Sequence, residues 1–526
     1  MAAEDQDIIS PLPAVDVSFK GSDRNLRTLN AFKPKQTTPE KAINEDPDTL
    51  IGRAQWLMRN SGMCSGALRK ITDQVIGHQY RIDLRPDYKT LGISREVATD
   101  WAQATGRRFN NYFNSSDNQV DASRRMSGVG LLRAAYGSFW VTGDSFIARE
   151  FMLDRIDKRN TGMAATCFNL LDSDRITNPK NKPEMQVQDI RRGVVVNDFG
   201  EALGYWLASR SENGLARQGS GQIDYKYIAR RNENFLNIIH TFDVPVGGTQ
   251  SRGVSRLASI VELSKQKDQM TLAELESVIV NASLSYYMKS EHGPESAFQA
   301  LGSGPQGGTF AEQWTAQSEW AKMNPIKHDG NALVHLFPGE EIGQLKGERG
   351  GALIGEFSKV IDRQIASGMH SDYETVSGDM TASSFATLKA IGADRWGRTL
   401  SEREVAINPI MNAFFQAWLD EMILRKIVPT PNGMNYMENR QFLTQARWIG
   451  APKAVFDSTS EATAQNIRLA NLSISPYDIA SESGYDIDEM LDDHEEFQRQ
   501  LEVRKLTINR VSQQAVNQAG QTGQNI

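Results

Sequence analysis

Residues 357–390, FSKVIDRQIASGMHSDYETVSGDMTASSFATLKA, decide the fold, because a regular apolar pattern gives way there to a dense polar segment. Apolar residues in and just before this stretch recur at helical spacing and predict an amphipathic helix over 353–368: Leu353, Ile354, Phe357, Val360, Ile361 and Ile365. The polar segment then collects residue types used in hydrolytic sites: His370, Asp372, Ser377, Asp379, Ser383 and Ser384. It is either a catalytic loop or a turn between two helices.

The spacing of these polar residues argues against a catalytic triad. Triad members normally come from separate elements of a fold, whereas here all of them lie between His370 and Ser384. Ser383 and Ser384 also precede an apolar helical face, the position at which serine caps a helix. We therefore predict no catalytic residue in this stretch. A serine hydrolase that uses either this stretch, 370–384, or GDSF at 143–146 stays open as an alternative.

Two other motifs with a chemical interpretation are equally weak. GDSF at 143–146 resembles the Gly-Asp-Ser block of a lipase class, but no Asp-x-x-His partner follows, since Leu491 stands three residues before His494. A turn leading into a strand is the simpler interpretation. GSGPQGG at 302–308 lacks the Gly-Lys-Ser/Thr ending of a phosphate-binding loop, so we expect a flexible loop.

Composition excludes several classes of protein. Hydrophobic residues make up 39% and charged residues 23% of the 526 positions, which is ordinary for a globular protein of several domains. Two cysteines argue against a disulfide framework, and seven scattered histidines without His-x-x-x-His spacing argue against a metal site. We predict no metal and no cofactor. No apolar run is long enough for a membrane span, and the acidic N-terminus lacks the layout of a signal peptide.

The charge balance bears on nucleic acid. The chain has 58 basic and 65 acidic residues, a net charge of −7. Proteins that bind DNA tightly by its phosphates usually have a basic balance. The sequence therefore disfavours tight DNA binding, although it permits DNA to pass nearby.

Periodicity along the chain predicts a mixed α+β fold. An irregular arm is expected over 1–45, and β-strands are expected over 146–240, including a hairpin at 193–208, GVVVNDFGEALGYWLA. A long helix over 383–427 should kink at Pro409, which cannot donate a backbone hydrogen bond. Further helices are predicted over 49–76, 94–114, 122–142 and 254–289, and after Ser475, which should cap a helix that stops at Gly484. The tail 511–526 is polar, and we expect it to be disordered.

The order of several motifs carries a family resemblance. GDSF is followed by LLDSDRI at 170–176, RRGVVVNDFGEALGYWLAS at 191–209, a long block at 238–285, HLFPGEEIGQL at 335–345, the opening stretch, and a C-terminal segment at 462–490. In this order the chain resembles the lambda-type family of tailed-bacteriophage portal proteins over about residues 50–505. It departs from the family at His370 and Ser371, where small or apolar residues are usual, and in HTF at 240–242, where an apolar middle residue is common.

The resemblance implies a portal-type fold with long stem and wing helices, a β-rich wing portion, a small clip insertion and C-terminal crown helices. Mapped onto this chain, the parts are a wing at 46–255, stem helices at 256–289 and 353–368, a clip at 290–352, a tunnel loop at 369–382, a kinked wing helix and link at 383–456, and crown helices at 457–510.

The resemblance also implies a function. Such proteins form a dodecameric ring at one capsid vertex, the channel for packaging and ejection of double-stranded DNA. The implied partners are the terminase large subunit, head–tail connector or adaptor proteins, and the major capsid and scaffold proteins, with no membrane. The expected location is the virion, after assembly in the host cytoplasm. Another kind of phage head structural protein stays open as an alternative.

Two groups of candidate site residues follow from this mapping. The first group would line the DNA channel in the tunnel loop: Asp372, Glu374, Asp379 and Thr381. The second group would bind partners through the clip: Gly302, Gly304, Gln306, Glu340 and Glu341. Three carboxylates and no basic residue lie between Met369 and Ala382, which predicts a loop that repels DNA phosphates and keeps the duplex centred.

Overall fold

The computed structural model describes residues 31–156, 163–179, 190–209, 224–244, 247–283, 287–290, 340–343 and 351–504, and a few isolated positions besides. Residues 234, 249 and 382 are left out of these ranges. The helices are α1 (Pro39–Asn44), α2 (Pro47–Asn60), α3 (Gly62–Val75), α4 (Tyr88–Leu91), α5 (Arg95–Phe113), α6 (Gly128–Thr142), α7 (Val261–Ser283), α8 (Gly351–Gly368), α9 (Tyr373–Ser377), α10 (Phe385–Glu402), α11 (Asn408–Leu424), α12 (Tyr436–Leu443), α13 (Ser458–Ala470), α14 (Pro476–Glu482) and α15 (Ile487–Arg504).

The strands form separate small sheets. They are β1 (Arg81–Leu84), β2 (Asp144–Phe151), β3 (Thr166–Leu171), β4 (Ile190–Arg191), β5 (Val194–Val196), β6 (Ala202–Ala208), β7 (Tyr225–Ala229), β8 (Arg231–Asn232), β9 (Phe235–Leu236), β10 (Ile238–Phe242), β11 (Tyr287–Ser290), β12 (Glu340–Gly343) and β13 (Ala446–Ile449). Their orders are β10-β2-β3, β4-β5-β6-β7, β1-β13, β11-β12 and β8-β9. The prediction of a β-rich region after helices is confirmed.

Serine side chains start many of the helices. In each case the hydroxyl oxygen accepts a hydrogen bond from the backbone N–H three residues later, which satisfies a donor that has no partner inside the helix. The serines are Ser61, Ser94, Ser127, Ser384 and Ser475. The predicted caps at Ser384 and Ser475 are confirmed, and Gly484 follows α14 at φ +81°.

The predicted hairpin at 193–208 is confirmed. β5 and β6 pair antiparallel, with Val194 opposite Tyr205. The Asn197 side chain accepts hydrogen bonds from the backbone N–H groups of Phe199 and Glu201. This is how asparagine favours a tight turn over a continued strand.

GDSF is a turn into a strand, as predicted. Gly143 has φ +89°, and a Cβ at this position would lie 2.5 Å from backbone atoms of Val254. Only glycine fits such a close approach at this φ without strain. β2 begins at the next residue, Asp144.

The kink at Pro409 is also confirmed. Between α10 and α11, residues 403–407 form one π-helical turn. Pro409 lacks an N–H, and its ring crowds the carbonyl four residues earlier. The regular series of backbone hydrogen bonds of the α-helix therefore cannot continue through this position. Arg403 is buried at this turn and donates to the carbonyl oxygens of Val75 and Ala451, at 2.8 and 2.7 Å.

Several predicted boundaries were wrong. The arm predicted as irregular over 1–45 contains α1, which Thr38 caps. The stem helix predicted over 256–289 ends at Ser283, and β11 follows it. The partner of β11 is β12, more than fifty residues further along the chain. A pairing at that sequence distance leaves no trace in local periodicity, which is why the pattern favoured a continued helix.

The main core surrounds α11. Phe414, Phe415 and Trp418 on this helix are at most 2% exposed, and Phe414 stacks on Phe168 with ring centroids 3.8 Å apart. Phe109 from α5 meets Phe415 edge to face at 5.2 Å. The helix α5, the strand β3 and the helix α11 therefore share one core. Among the described helices, none is both long and apolar enough to span a bilayer.

The clip predicted over 290–352 falls mostly outside the described residues. Gly302, Gly304 and Gln306 lie outside the described residues, and so does the tail 511–526. Glu340 and Glu341 form the first half of β12, whose backbone pairs with β11.

Candidate functional site

The connection between α8 and α10, residues 369–384, is the candidate site, and we call it the 369–384 segment. The sequence predicted a loop over 369–382, but the segment contains a helical turn, α9, which ends at Gly378 with φ +75°. Three of its side chains are buried: Met369, Thr375 and Val376 are at most 6% exposed. Lys70 on α3 donates to the Thr375 carbonyl at 2.7 Å. The turn at α9 is therefore packed against α3.

Asp372 starts this turn and is paired with two arginines. It caps α9 by accepting from the Thr375 N–H at 3.0 Å. Its carboxylate also contacts Arg395 at 2.8 Å and Arg398 at 3.2 Å, both on α10. Partial burial opposes ionisation, but the hydrogen bonds from Thr375 and Arg395 outweigh it and hold the pKa of Asp372 below its usual value.

These two arginines correct the predicted charge of the segment. The prediction counted three free carboxylates because no basic residue lies between Met369 and Ala382 in the sequence. Arg395 and Arg398 come from the next helix and neutralise one of the three carboxylates. Nothing in the sequence indicated that these arginines would lie beside Asp372. Two arginines three residues apart on a helix usually mark a face that is exposed to water.

The other two carboxylates have no cationic partner within ion-pair distance in the described part of the chain. Asp379 accepts from the Thr381 N–H at 3.0 Å and from its hydroxyl at 2.6 Å, and these bonds lower the pKa of the Asp379 carboxyl. Glu374 accepts from the Ser383 hydroxyl at 3.0 Å. Their negative charge is thus held in place and left available to a ligand.

The segment lacks the arrangement of a hydrolase. His370 is exposed with φ +48°, and its carbonyl accepts from Arg398 at 2.7 Å. Ser384 serves as the cap of α10, and Ser383 donates to Glu374. No serine of the segment has a histidine among the hydrogen-bond partners that the structure describes.

GDSF leads to a second polar cluster, which the sequence did not predict. Asp144 is fully buried and pairs with Arg252 at 2.7 Å and with His240 at 3.0 Å. Burial alone would raise the pKa of Asp144, but the Arg252 guanidinium and the His240 hydrogen bond hold it well below its usual value. His240 stacks on Phe146 with centroids 4.1 Å apart.

Strand geometry keeps Ser145 away from this cluster. His240 lies directly opposite Phe146 in the β2–β10 pair, and Ser145 lies opposite Thr241. Side chains alternate between the two faces of a strand, so Asp144 and His240 share one face and Ser145 points to the other. The cluster holds an acid and an imidazole without a nucleophile, and its geometry is structural.

We expect the free energy of unfolding to fall as the pH drops below about 6.5, the ordinary pKa of histidine. Burial lowers the pKa of His240 in the folded chain despite its contact with Asp144. Between that lowered pKa and 6.5 the unfolded chain binds a proton that the folded chain does not, so acid favours unfolding. Urea unfolding at pH 7.5 and 5.5 measures this loss. The variant His240→Phe, which keeps the ring contact with Phe146, should show a smaller difference between the two pH values, and an unchanged difference would contradict the assignment.

The structure offers no metal centre in the part of the chain that it describes, since no three His, Cys, Asp or Glu side chains there come together suitably.

Comparison with known proteins gives a consistent result. Residues 25–403 match the family model for phage portal proteins of the lambda family. The portal protein of Escherichia phage N15 is 24% identical over 460 residues, covering 86% of this chain and 83% of that protein. Portal protein B of Escherichia phage lambda is 24% identical over 459 residues with the same coverage.

Solved structures align over most of the chain at low similarity. A chain from the neck of an empty gene transfer agent particle, computed with C6 symmetry, aligns with 12% identity and a TM-score of 0.43, covering 82% of this chain and 93% of that one. A chain from the neck of the native particle, computed with C12 symmetry, aligns with 11% identity and a TM-score of 0.41, covering 84% and 94%.

Proposed function

The chain belongs to the lambda family of phage portal proteins, and from this premise we propose that it assembles into a closed ring of about twelve copies around a DNA channel. Portal proteins are structural proteins, so membership confirms the prediction that the chain is not an enzyme. The serine-hydrolase alternative is not supported.

The observation that carries the proposal is a pair of apolar strips on α7 and α8 that no described part of the chain covers. On α7, Leu272 and Leu275 lie on one side of the helix and are each more than half exposed. On α8, Phe357 and Val360 are 58% and 46% exposed. Water-exposed apolar strips of this kind mark protein interfaces.

Both helices already contact their own chain through other faces. Ser264 on α7 is buried, Lys267 pairs with Asp362, and Ile365 on α8 is fully buried. Each subunit therefore has two different apolar strips to offer. A cyclic ring needs two unlike surfaces that meet head to tail, and the two strips supply them. The sequence predicted a helix over 254–289 without indicating what would cover Leu272 and Leu275.

Replacing one residue in each strip tests the ring. We expect wild-type chain to scatter light as a particle of roughly 700 kDa, about twelve copies of the 58.6 kDa subunit. The variants Leu275→Glu and Phe357→Glu should shift the mass toward that of a single chain, because each places an unpaired charge in the subunit contact. Leu472→Glu is the matched control, since Leu472 is 91% exposed in the turn after α13. A stable monomer for the wild type at every salt concentration would contradict the ring.

We propose that the 369–384 segment faces DNA in the channel. Glu374 and Asp379 keep their charge, and Thr381 holds Asp379 in position, whereas Asp372 fixes the turn to α10. Two unpaired carboxylates per copy, repeated around a ring, give a wall that repels phosphate and lets the duplex slide. Salt softens this repulsion over roughly 8–10 Å.

We propose that residues 290–352 form the clip and bind partner proteins. The antiparallel pair of β11 and β12 supports this, because Ser290 lies opposite Glu340 and the intervening chain must leave and return at one place. Gly302, Gly304, Gln306, Glu340 and Glu341 are the proposed contacts. The proposed partners are the terminase large subunit and head–tail connector proteins, with the major capsid and scaffold proteins contacting the wing and crown. The proposed location is one vertex of the virion capsid, after assembly in the host cytoplasm.

A further inference from the structure

A deep cleft lies between α5, β1 and the beginning of α15. Its volume is about 720 Å³. The face of α5 that lines it carries a small residue at every fourth position, namely Ala98, Ala102 and Gly106. Ala98 and Ala102 are at most 6% exposed. Small side chains at the bottom of a deep cleft leave room for the side chains of a ligand.

β1 presents a free backbone edge to this cleft. Arg85, which directly follows β1, donates to the Gln445 carbonyl in register with the β1–β13 pair. Backbone groups of an antiparallel strand point alternately toward and away from the partner strand, so those of Ile82 and Leu84 point away from β13. The Ile82 N–H donates to the Asn110 side chain of α5 at 3.2 Å, whereas the backbone of Leu84 has no hydrogen-bond partner in the described part of the chain. An edge of this kind accepts an extended peptide as an added strand.

The cleft carries unpaired charge of opposite sign at its two ends. Asp486 and Asp488 line it without an ion-pair partner among the described residues, and burial together with the neighbouring carboxylates raises the pKa of Asp486. Glu489, next to them, pairs with Arg81 at the start of β1, which places this acidic end beside that start. Arg95, in the first turn of α5, lines the cleft and likewise has no ion-pair partner within the described ranges.

The length of the cleft matches a short strand. Ile82 lies against Gly106 and Asn110 in the second half of α5. About 17 Å of helix separates Gly106 from Arg95, a distance that about five extended residues span. The cleft therefore fits an extended segment with a basic side chain at one end, an acidic side chain toward the other, and apolar side chains between them.

One segment of the chain itself has this pattern. Residues 14–20, AVDVSFK, alternate apolar and polar positions, and Pro13 and Gly21 bound them as turn residues bound a strand. In an extended conformation one side would carry the apolar residues and the other the polar ones. The apolar residues are Val15, Val17 and Phe19, and the polar ones are Asp16, Ser18 and Lys20. The segment lies outside the described residues.

The chain is long enough to bring this segment to the cleft. The residues between Lys20 and α1 extend up to ~60 Å. The three helices that lead from there to β1, which are α1, α2 and α3, measure only ~50 Å end to end. The cleft of the same copy is therefore within reach.

The other end of the chain fits less well. LTINRV at 506–511 also alternates, but it has no acidic residue for Arg95. It also follows α15, and ~18 Å of helix separates Arg504 from Asp492, which pairs with Arg107 beside the cleft.

We propose that residues 14–20 bind in this cleft as a third strand, antiparallel to β1. In that direction Lys20 meets Asp486, and Asp16 lies toward Arg95. The three apolar side chains pack against the small residues of α5, and the backbone pairs with the free edge of β1. Backbone pairing fixes an added strand in place, while the side chains select which strand is bound.

An engineered cysteine pair tests the proposal on the full-length chain, whose native cysteines are buried. Val17→Cys is combined with Thr99→Cys, since Thr99 lines the cleft on α5. We expect mild oxidation to join the two positions at least about tenfold faster than in the control, because docking raises their effective concentration. The matched control combines Val17→Cys with Asp100→Cys, an exposed neighbour of Thr99 outside the cleft. Non-reducing electrophoresis distinguishes a bond within one copy from a bond between two copies.

Charge reversal tests which charges meet. Lys20→Glu and Asp486→Lys, each added alone to the cysteine pair, should slow bond formation about fivefold at low salt. The two reversals together should give a faster rate than either alone, because they restore an opposite pair.

Three results would overturn the proposal. One is bond formation at position 99 that is no faster than at position 100. Another is a rate that ignores both charge reversals, which would mean that the arm touches α5 without entering the cleft in this direction. The third is faster bond formation when Ile508→Cys replaces Val17→Cys, which would make the C-terminal segment the occupant. Light scattering on the same samples reports ring formation separately, so failure of the ring and failure of the added strand are distinguishable.

Discussion

Replacing Arg252 with methionine is expected to lower the free energy of unfolding by about 3–5 kcal/mol, the cost of leaving a buried charge without its partner. Arg252 is 1% exposed, and Asp144 is fully buried beside it. The guanidinium also donates to the carbonyl oxygens of Ile176 and Arg192 and to the Ser173 hydroxyl, at 3.0, 2.7 and 2.7 Å. One side chain therefore joins β2, the turn after β3 and the turn between β4 and β5.

Urea unfolding monitored by tryptophan fluorescence measures this loss. The double variant Asp144→Asn, Arg252→Met should recover part of it, because a neutral amide still accepts from the Gly253 N–H but leaves no buried charge. Arg85→Met is the matched control. Arg85 is 43% exposed in its pair with Asp83, so its replacement should lower the free energy of unfolding by at most about 1 kcal/mol. If Arg252→Met costs no more than Arg85→Met, the cluster does not hold these segments together.

The double variant Glu374→Lys, Asp379→Lys is expected to slow DNA passage at least about fivefold at low salt, because basic side chains bind phosphate with release of counterions. Rings should still form, since neither carboxylate has an ion-pair partner in the described part of the chain. Packaging rate at about 50 and 200 mM salt is the measurement, with the larger defect at the lower concentration.

A variant at Asp372 distinguishes loss of the turn structure from a change in the charge that faces DNA. Asp372→Lys would remove the cap of α9 and place a third cation beside Arg395 and Arg398, so we expect it to destabilise the turn at every salt concentration. Asp100→Lys on α5, an exposed position, controls for a general gain of charge. A double-lysine ring that moves DNA at the wild-type rate in low salt shows that the 369–384 segment does not face DNA.

Local features of the chain were predictable because their causes lie within a few residues. The serine caps, the Gly143 turn, the Asn197 hairpin and the kink before Pro409 each depend on the chemistry of one residue and its near neighbours. The family resemblance also came from the order of motifs along the chain. These features need no knowledge of what lies opposite them in space.

Features made by distant segments were decided only by tertiary structure. The pairing of β11 with β12 ended a helix that periodicity had extended. Arg395 and Arg398 neutralised Asp372 from the next helix, and Arg252 met Asp144 across more than a hundred residues. Periodicity also cannot tell an apolar stripe that meets its own core from one that stays exposed, as at Leu272 and Leu275 on α7. The physical reason is common to all of these: the energy of a charge or an apolar side chain depends on what surrounds it, and only the folded chain fixes those surroundings.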